Sequence, residues 1–504
     1  MDNNNNKTYP LPGVVFREEM KSDLEFILKD KVDRITGTGF DLLIELPPEN
    51  LYVVVKELKE NPRLRANIFG GMNACKNNKR NFLLINLRSA YNDLSVLLKM
   101  EMQNDDIETG YIEAANILEE FYKAAAFYKG TSRIARCDFN IEIPPGILDG
   151  LDCFDINIYA DEDKVKEAYI DTCVSRVLDY EFYRDMKIYN LIAIINRFDW
   201  KAGIFPELCL CSAIEKLLQL KPTKRARYIR MLLCELYRIS NHIYFILNIC
   251  NILQYDIAYS MCHLERERVL GLIETITGSR VAPNFIRIGG VKKNIEEETL
   301  ADIRKNLPLL FENIRKIEKI MTEDFLIIER LKNIGIISKD TALEYGVTGP
   351  NLRASGARND LRKDNDFISY GDLSFTTPVG REGDCLERVI IRFREIFQSL
   401  RLVNQIINNF PEGDYIKKIN LPHLEFQPGA ISQDIECPHG IFKIYMEVGE
   451  KDIDSLVIKG PSMNSLILGG EIIKGESLED IDLILMSLDI SPGEIMNTQY
   501  KTEY

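Results

Sequence analysis

Acid, base and imidazole side chains recur at helical spacing inside segments that are otherwise apolar. In Glu235-Leu-Tyr-Arg-Ile-Ser-Asn-His242, the residues Glu235, Arg238 and His242 stand at i, i+3 and i+7, on one face of a helix. In the next helical stretch Asp256, His263 and Glu267 again share a face, at i, i+7 and i+11. Two readings follow. The stripes are solvated faces laced by ion pairs one turn apart. Or they meet inside an antiparallel helix pair as a buried network, a candidate for handling protons or electrons, because buried charge is costly unless paired or used. His423 and His439 stand alone and read as structural. Cys209 and Cys211 are the most closely spaced thiols, and no Cys-x-x-Cys pair occurs. They read as buried, inert thiols.

The elements that would position these residues form more than one unit, since 504 residues exceed an ordinary single core. Residues 1–12 read as a disordered tail. From 13 to 135 the pattern is mixed, with strands at 40–46 and 81–87 and helices at 52–60 and 111–127. Residues 137–158 are β-rich and punctuated by Pro144, Pro145, Gly146 and Gly150. Helical periodicity then dominates at 164–195, 208–220, 223–252, 256–276, 295–335 and 384–409. Asp161-Glu-Asp163 reads as an acidic helix start. A Gly- and Arg-rich loop covers 345–361, and 441–488 reads as two or three strands plus a helix.

Charge and composition exclude several classes. The net charge of −14 opposes nucleic-acid binding and a polybasic lipid anchor. No run reaches the roughly 18 apolar residues of a membrane span. Eleven scattered cysteines in a chain with no secretion signal read as reduced. The chain itself reads as soluble and cytoplasmic, so any attachment to a membrane must come through partner subunits.

A family resemblance rests on several motifs in order: Arg225-Ala-Arg-Tyr-Ile-Arg230, Glu235–His242, Glu265-Arg-Glu-Arg268, Arg287-Ile-Gly-Gly-Val291, Tyr345-Gly-Val-Thr-Gly-Pro350, Arg353-Ala-Ser-Gly356, Asp360-Leu-Arg362, Gly383-Asp384 and Glu436-Cys-Pro-His-Gly440. Together they resemble the large subunit of NiFe hydrogenases and its complex I descendant over residues 136–498. Residues 13–135 more weakly resemble the small subunit that precedes the large one in complex I. The resemblance implies an α+β chain. A small mixed α/β domain (13–135) would precede a mainly helical, hydrogenase-large-subunit-like domain (136–504) with small peripheral sheets and no metal site.

The family's chemistry is altered in this copy. A NiFe centre takes four thiolates from two Cys-x-x-Cys motifs, soft ligands for a soft metal. The first motif is expected at 208–211, where only Cys211 remains and Leu208 replaces its partner. The second falls in Ser487-Leu-Asp-Ile-Ser-Pro-Gly-Glu494, which has no thiol. Complex I uses a His and a Tyr at its quinone headgroup. Here the loop Ile143-Pro-Pro-Gly-Ile-Leu148 has no His, and Trp200, in Asn196-Arg-Phe-Asp-Trp200, takes the Tyr position. The resemblance makes Trp200, Cys211, Ser491 and Glu494 the degenerate former active-site cavity. It puts Arg197 and His242 beside the iron–sulfur cluster of a partner subunit.

The function so implied is a subunit of a complex I-like membrane-bound oxidoreductase that couples electron transfer from an adjacent iron–sulfur subunit to ion translocation. The chain itself would bind no cofactor. Its partners would be that iron–sulfur small subunit, membrane-arm antiporter-like subunits, and ferredoxin- or NADH-oxidising subunits. A quinone reductase subunit and a non-catalytic coupling scaffold are the alternatives. An open cavity around the four residues favours an enzyme site, and one filled by Trp200 and Leu208 favours the scaffold.

Overall fold

The computed structural model describes residues 12–38, 41–76, 81–89, 94–102, 107–125, 139–142, 154–171, 186–364, 368–419, 426–449 and 453–496. Tail residues 1–11, the 143–148 loop, His423 and the junction at 135/136 lie outside them.

The amino-terminal part is built on a five-stranded sheet of β1 (Arg34–Thr38), β2 (Asp41–Glu45), β3 (Ile68–Lys76), β4 (Asn81–Arg88) and β5 (Ser95–Met102), in the order β1-β2-β5-β4-β3. Only β2 and β5 pair parallel. The unbroken apolar run Phe82–Ile85 in β4 suits a strand covered on both faces. Helix Leu51–Glu60 buries Leu51, Val54, Val55 and Leu58 in the main core. Leu43, Phe82, Leu84 and Leu97 pack on Tyr445 and Val457 of the carboxy-terminal part. Helix Pro12–Ile27 replaces the end of the expected tail. The expected 111–127 helix runs instead from Ile107 to Glu119.

One expectation fails outright. Residues 164–171 are not helical. They form β8 (Lys164–Asp171), antiparallel to β7 (Asp155–Asp161), which pairs with β6 (Phe139–Glu142). The Asp161–Asp163 acids therefore make a hairpin turn rather than a helix start, with Glu162 left-handed at φ 57°. Alternation in Lys-Val-Lys-Glu-Ala-Tyr-Ile-Asp outweighs helix propensity once a partner strand is available. A short helix, Ile188–Ile194, follows later.

The helical bundle comprises Ile204–Leu217, Lys224–Ile252, Asp256–Thr277, Glu297–Glu323 and Cys385–Asn408. Lys224–Ile252 lies at its centre, against Asp256–Thr277 and Cys385–Asn408. The expected 295–335 helix is broken by extended Asp324. Its carboxylate accepts from Leu326 N at 2.9 Å and so starts a second helix, Phe325–Leu331. A two-stranded ribbon, β9 (Ile286–Arg287) and β10 (Gly290–Val291), flanks the bundle. Inside the expected 345–361 loop lies a short helix, Gly349–Ala354.

The carboxy-terminal sheet is a meander of β11 (Gly429–Cys437), β12 (Gly440–Val448) and β13 (Ile453–Lys459). It is not peripheral: helix Ile204–Leu217 packs on β11 and β12, while the five-stranded sheet meets Tyr445 and Val457. Helices Ser462–Ile472, Ile481–Ser487 and Pro492–Met496 end the described chain.

Candidate functional site

Helix Lys224–Ile252 starts at Thr223, whose hydroxyl accepts from Ala226 N at 3.2 Å. Its polar stripe is buried: Glu235, Arg238 and His242 are all 0 % exposed. Glu235 accepts from Tyr370 Oη and Ser399 Oγ at 2.6 Å each and pairs with Arg362 at 3.2 Å. Burial alone would raise its carboxyl, but Arg362 and Arg238 hold it below the ordinary range. Arg238 donates to Glu436 O at 2.7 Å. His242 Nε2 lies 3.0 Å from Glu395 Oε2, whose other oxygen takes Arg353 Nε at 2.8 Å. Arg353 also reaches Glu436 at 2.8 Å. The Asp256, His263 and Glu267 stripe behaves differently, since all three residues are exposed. The two stripes do not meet; the second helix instead turns Ala258, Cys262, Val269 and Ile273 inward.

Asn241, beside His242, brings its side-chain amide 3.4 Å from His439 Nε2, where the amide oxygen accepts from the protonated ring once the amide is turned over. His439 sits between two carboxylates, 3.5 Å from Asp199 Oδ2 and 3.2 Å from Asp489 Oδ2. Burial opposes its charge, but Asp489 and Asp199 outweigh that and hold it up to about 10. It is therefore an imidazolium at neutral pH. Asp489 is held low despite burial by His439, Arg392 and Lys201. Ser491 Oγ donates to Asp199 Oδ1 at 2.8 Å. Glu494 accepts from Ser462 N at 2.8 Å, and burial followed by the Asp199 charge pushes it up to about 7.

Local chemistry fixes this arrangement. Asn196 Nδ2 donates to Glu207 Oε1 at 2.8 Å, and Glu207 Oε2 accepts from Phe285 N and Ile286 N. That pins the Ile195–Asp199 turn to the bundle. Helix Pro492–Met496 closes on the same turn, and a Cβ on Gly493 would stand 2.8 Å from Phe198 O.

The structure therefore gathers Ser491, Glu494 and the turn that ends at Trp200, which is half-buried. Cys211 lies in a different polar environment. Burial raises its thiol, and the charges acting on it are Glu215, Arg230, Glu207 and Arg287. Leu208 is also buried. Arg197 is exposed and His242 enclosed, so of the two only Arg197 is open to a partner's surface. Asp199, Asp489 and His439 are members of the cluster that residue spacing alone does not mark as site residues. Asp199 lies inside Asn196–Trp200 and Asp489 inside the altered tail, so both motifs contained the signal. His439 belongs to Glu436-Cys-Pro-His-Gly440, where two distant carboxylates give it a charge that its local sequence does not reveal.

A family described as respiratory-chain NADH dehydrogenase, 49 Kd subunit, matches residues 257–496. The D subunit of the NADH-quinone oxidoreductase of Clostridium beijerinckii is 35% identical over 308 residues, covering 61% of this chain and 83% of that protein. The chain belongs to this family. The corresponding protein of Geobacillus kaustophilus is 31% identical over 309 residues, 61% of this chain and 84% of its own length. A chain of the membrane-bound sulfane sulfur reductase, an archaeal respiratory membrane complex, superposes with a TM-score of 0.68 at 28% identity, over 72% of this chain and all of that one. The complex I-like resemblance and the mixed fold with small sheets are thus borne out. As a member of the 49 Kd family, the chain is a subunit of a complex I-like respiratory oxidoreductase.

The donor set does not suit a nickel–iron centre. The tail supplies the Ser491 hydroxyl and the Glu494 carboxyl, hard donors, and both are engaged by protein groups. Burial and the neighbouring Glu494 and Asp199 charges keep the Cys437 thiol protonated.

Proposed function

We propose that this subunit senses electron arrival in an adjacent iron–sulfur subunit through Arg197 and His242, and answers by moving protons in its buried network. Membrane-arm partners would turn that response into ion translocation. The observation that supports this most is proximity: His242 holds the Glu395–Arg353–Glu436 pairs, and Asn241, the residue before it, approaches the His439 cluster. Burial outweighs Glu395 and brings the His242 imidazole down to about 4, so it is neutral and donates Nε2–H to Glu395. Its Nδ1 has no hydrogen-bond partner among the described residues and is the position at which a proton would be taken up. Negative charge added nearby raises its proton affinity. The partner's cluster supplies the electron; exposed Arg197 offers a cation to that surface.

Among the described residues no helix is long and apolar enough to cross a membrane. Attachment to the cytoplasmic face of the membrane is assigned to the partners, and ferredoxin- or NADH-oxidising subunits would supply the electrons. The amino-terminal sheet and the bundle are proposed to be two domains, 13–135 and 136–504.

The test is the midpoint potential of the partner's cluster in the intact complex as pH is varied. One electron coupled to one proton gives a slope of about 59 mV per pH unit. A His242→Met variant should flatten it. Equal slopes would overturn the role of His242.

A second reading, reduction of a quinone, is favoured by Glu494. A buried carboxyl brought to about 7 is matched to proton donation near neutral pH. Donor oxidation by the complex, with and without a soluble quinone, separates the readings. Quinone-independent turnover by a complex whose clusters still become reduced removes the second.

A further inference from the structure

A cavity of about 40 Å³ lies where the amino-terminal sheet meets the carboxy-terminal one. Asn86 and Arg88 of β4 line one side, and Thr348, Asp434, Lys443 and Lys459 the other. The cations are not equally matched. Lys443 pairs with Asp41 at 2.9 Å and Asp434 at 3.3 Å, and it donates to Ser95 Oγ at 2.6 Å. Arg88 pairs with Asp434 at 3.3 Å. Lys459 is only 9% exposed, and among the described residues its Nζ has neither a hydrogen-bond partner nor a carboxylate within ion-pair distance.

An ammonium so placed must lose its proton or gain an anion. The space beside it favours the anion. Interiors are close-packed, and a void that served only a neutral amine would forfeit contacts for nothing. A water needs roughly 10–15 Å³ of such space. The cavity takes a single ion with no more than a water or two, and it excludes a phosphate ester or an organic ligand. Thr348 Oγ1 accepts from Ile441 N at 3.0 Å, which leaves its own proton to donate.

We propose that this cavity binds one halide-sized monovalent anion on Lys459, assisted by the Thr348 hydroxyl, at the seam between the amino-terminal and carboxy-terminal sheets. Burial, and then the Lys443 charge, bring the Lys459 ammonium down to about 7. Anion affinity therefore falls as pH rises past neutrality. The other charged groups around it are Lys443, Arg88 and Asp434 in the cavity, Asp41 behind Lys443, and Glu494 across the Gly460 turn.

The test uses the full chain in its complex, crystallised with bromide in place of chloride, with diffraction recorded at the bromine edge. The expected result is an anomalous peak beside Lys459 Nζ at pH 6.5, absent in Lys459→Met. In solution, chloride replacing gluconate at constant ionic strength should raise the unfolding temperature of the wild type and leave Lys459→Met unmoved. The wild-type bromide experiment stands even where the variant fails to fold. No peak in the wild type overturns the proposal and makes Lys459 a neutral amine. A peak retained in the variant overturns the assignment to Lys459.

Discussion

Replacing Arg353 by methionine removes one guanidinium and strands two carboxylates. Arg353 is 0 % exposed and lies 2.8 Å from both Glu395 and Glu436, with a third bond of 2.8 Å to Asn359 O. Breaking a buried pair by removing one partner costs about 3–5 kcal/mol, because the remaining charge stays desolvated. Relief is available on both sides. Glu436, already pushed up by burial, takes a proton, and Glu395, whose burial Arg353 no longer offsets, takes another. The expected loss is therefore about 3–5 kcal/mol rather than twice that. It also depends on pH. In the wild type Arg353 is the largest influence holding Glu395 well below the ordinary carboxylate range, against burial. Stability from that depressed group is present above its unfolded value and lost only at strongly acidic pH. Without Arg353 the folded-state value rises above the unfolded one. Stability is then lost as pH climbs from about 4.5 upward. The variant should be closer to wild type at pH 5 than at pH 8. Trp200 is the only tryptophan, so its fluorescence in urea reports on this part of the chain. A deficit below about 1 kcal/mol at pH 8, or an equal deficit at both pH values, would refute the reasoning. Arg280, half-buried at the surface and paired with Glu267 and Glu274, is the control, and Arg280→Met should leave the midpoint unmoved.

Glu494, brought to about 7, contributes stability that is fully present below its unfolded value near 4.5 and lost as pH rises through 7. Glu494→Gln should abolish that component, about 3 kcal/mol between pH 4.5 and 8, read as a flatter urea midpoint against pH than the wild type shows. Gly349 has φ 68°, and a Cβ there would stand 2.4 Å from Gly440 Cα. Gly349→Ala should cost more than about 2 kcal/mol by denaturant unfolding, and a neutral result would mean that the helix start can shift away from β12. Cys211 is enclosed and its thiol raised by burial, so alkylation by iodoacetamide should require unfolding; mass spectrometry of the native protein showing Cys211 modified would contradict the geometry.

Pattern conveyed the long helices because they are capped where the sequence says so. Thr223 and Asp384 both accept backbone N–H groups at the expected starts. It failed for residues 164–171 because a charged, alternating segment becomes a strand only when β7 lies beside it, and that pairing is not local. The two polar stripes show the same limit from another side. Periodicity put Glu235, Arg238 and His242 on one face and Asp256, His263 and Glu267 on another, but it does not say which face has neighbours. The first is enclosed because Arg353, Arg362, Tyr370, Glu395 and Ser399 arrive from segments more than a hundred residues away.

The same reasoning explains how this tail stays polar and buried with no soft ligand in it. Ser491 and Glu494 would be poor ligands for a soft metal, and neither is idle in the fold. The serine gives its proton to Asp199, the glutamate takes a backbone N–H from Ser462, and His439 is charged only because Asp199 and Asp489 flank it. A cavity left empty, or lined with uncompensated charge, would cost several kcal/mol. Mutually neutralising acids and an imidazolium avoid that cost here. In this chain the tail thus packs, through His439, beside the buried network that begins at Glu235.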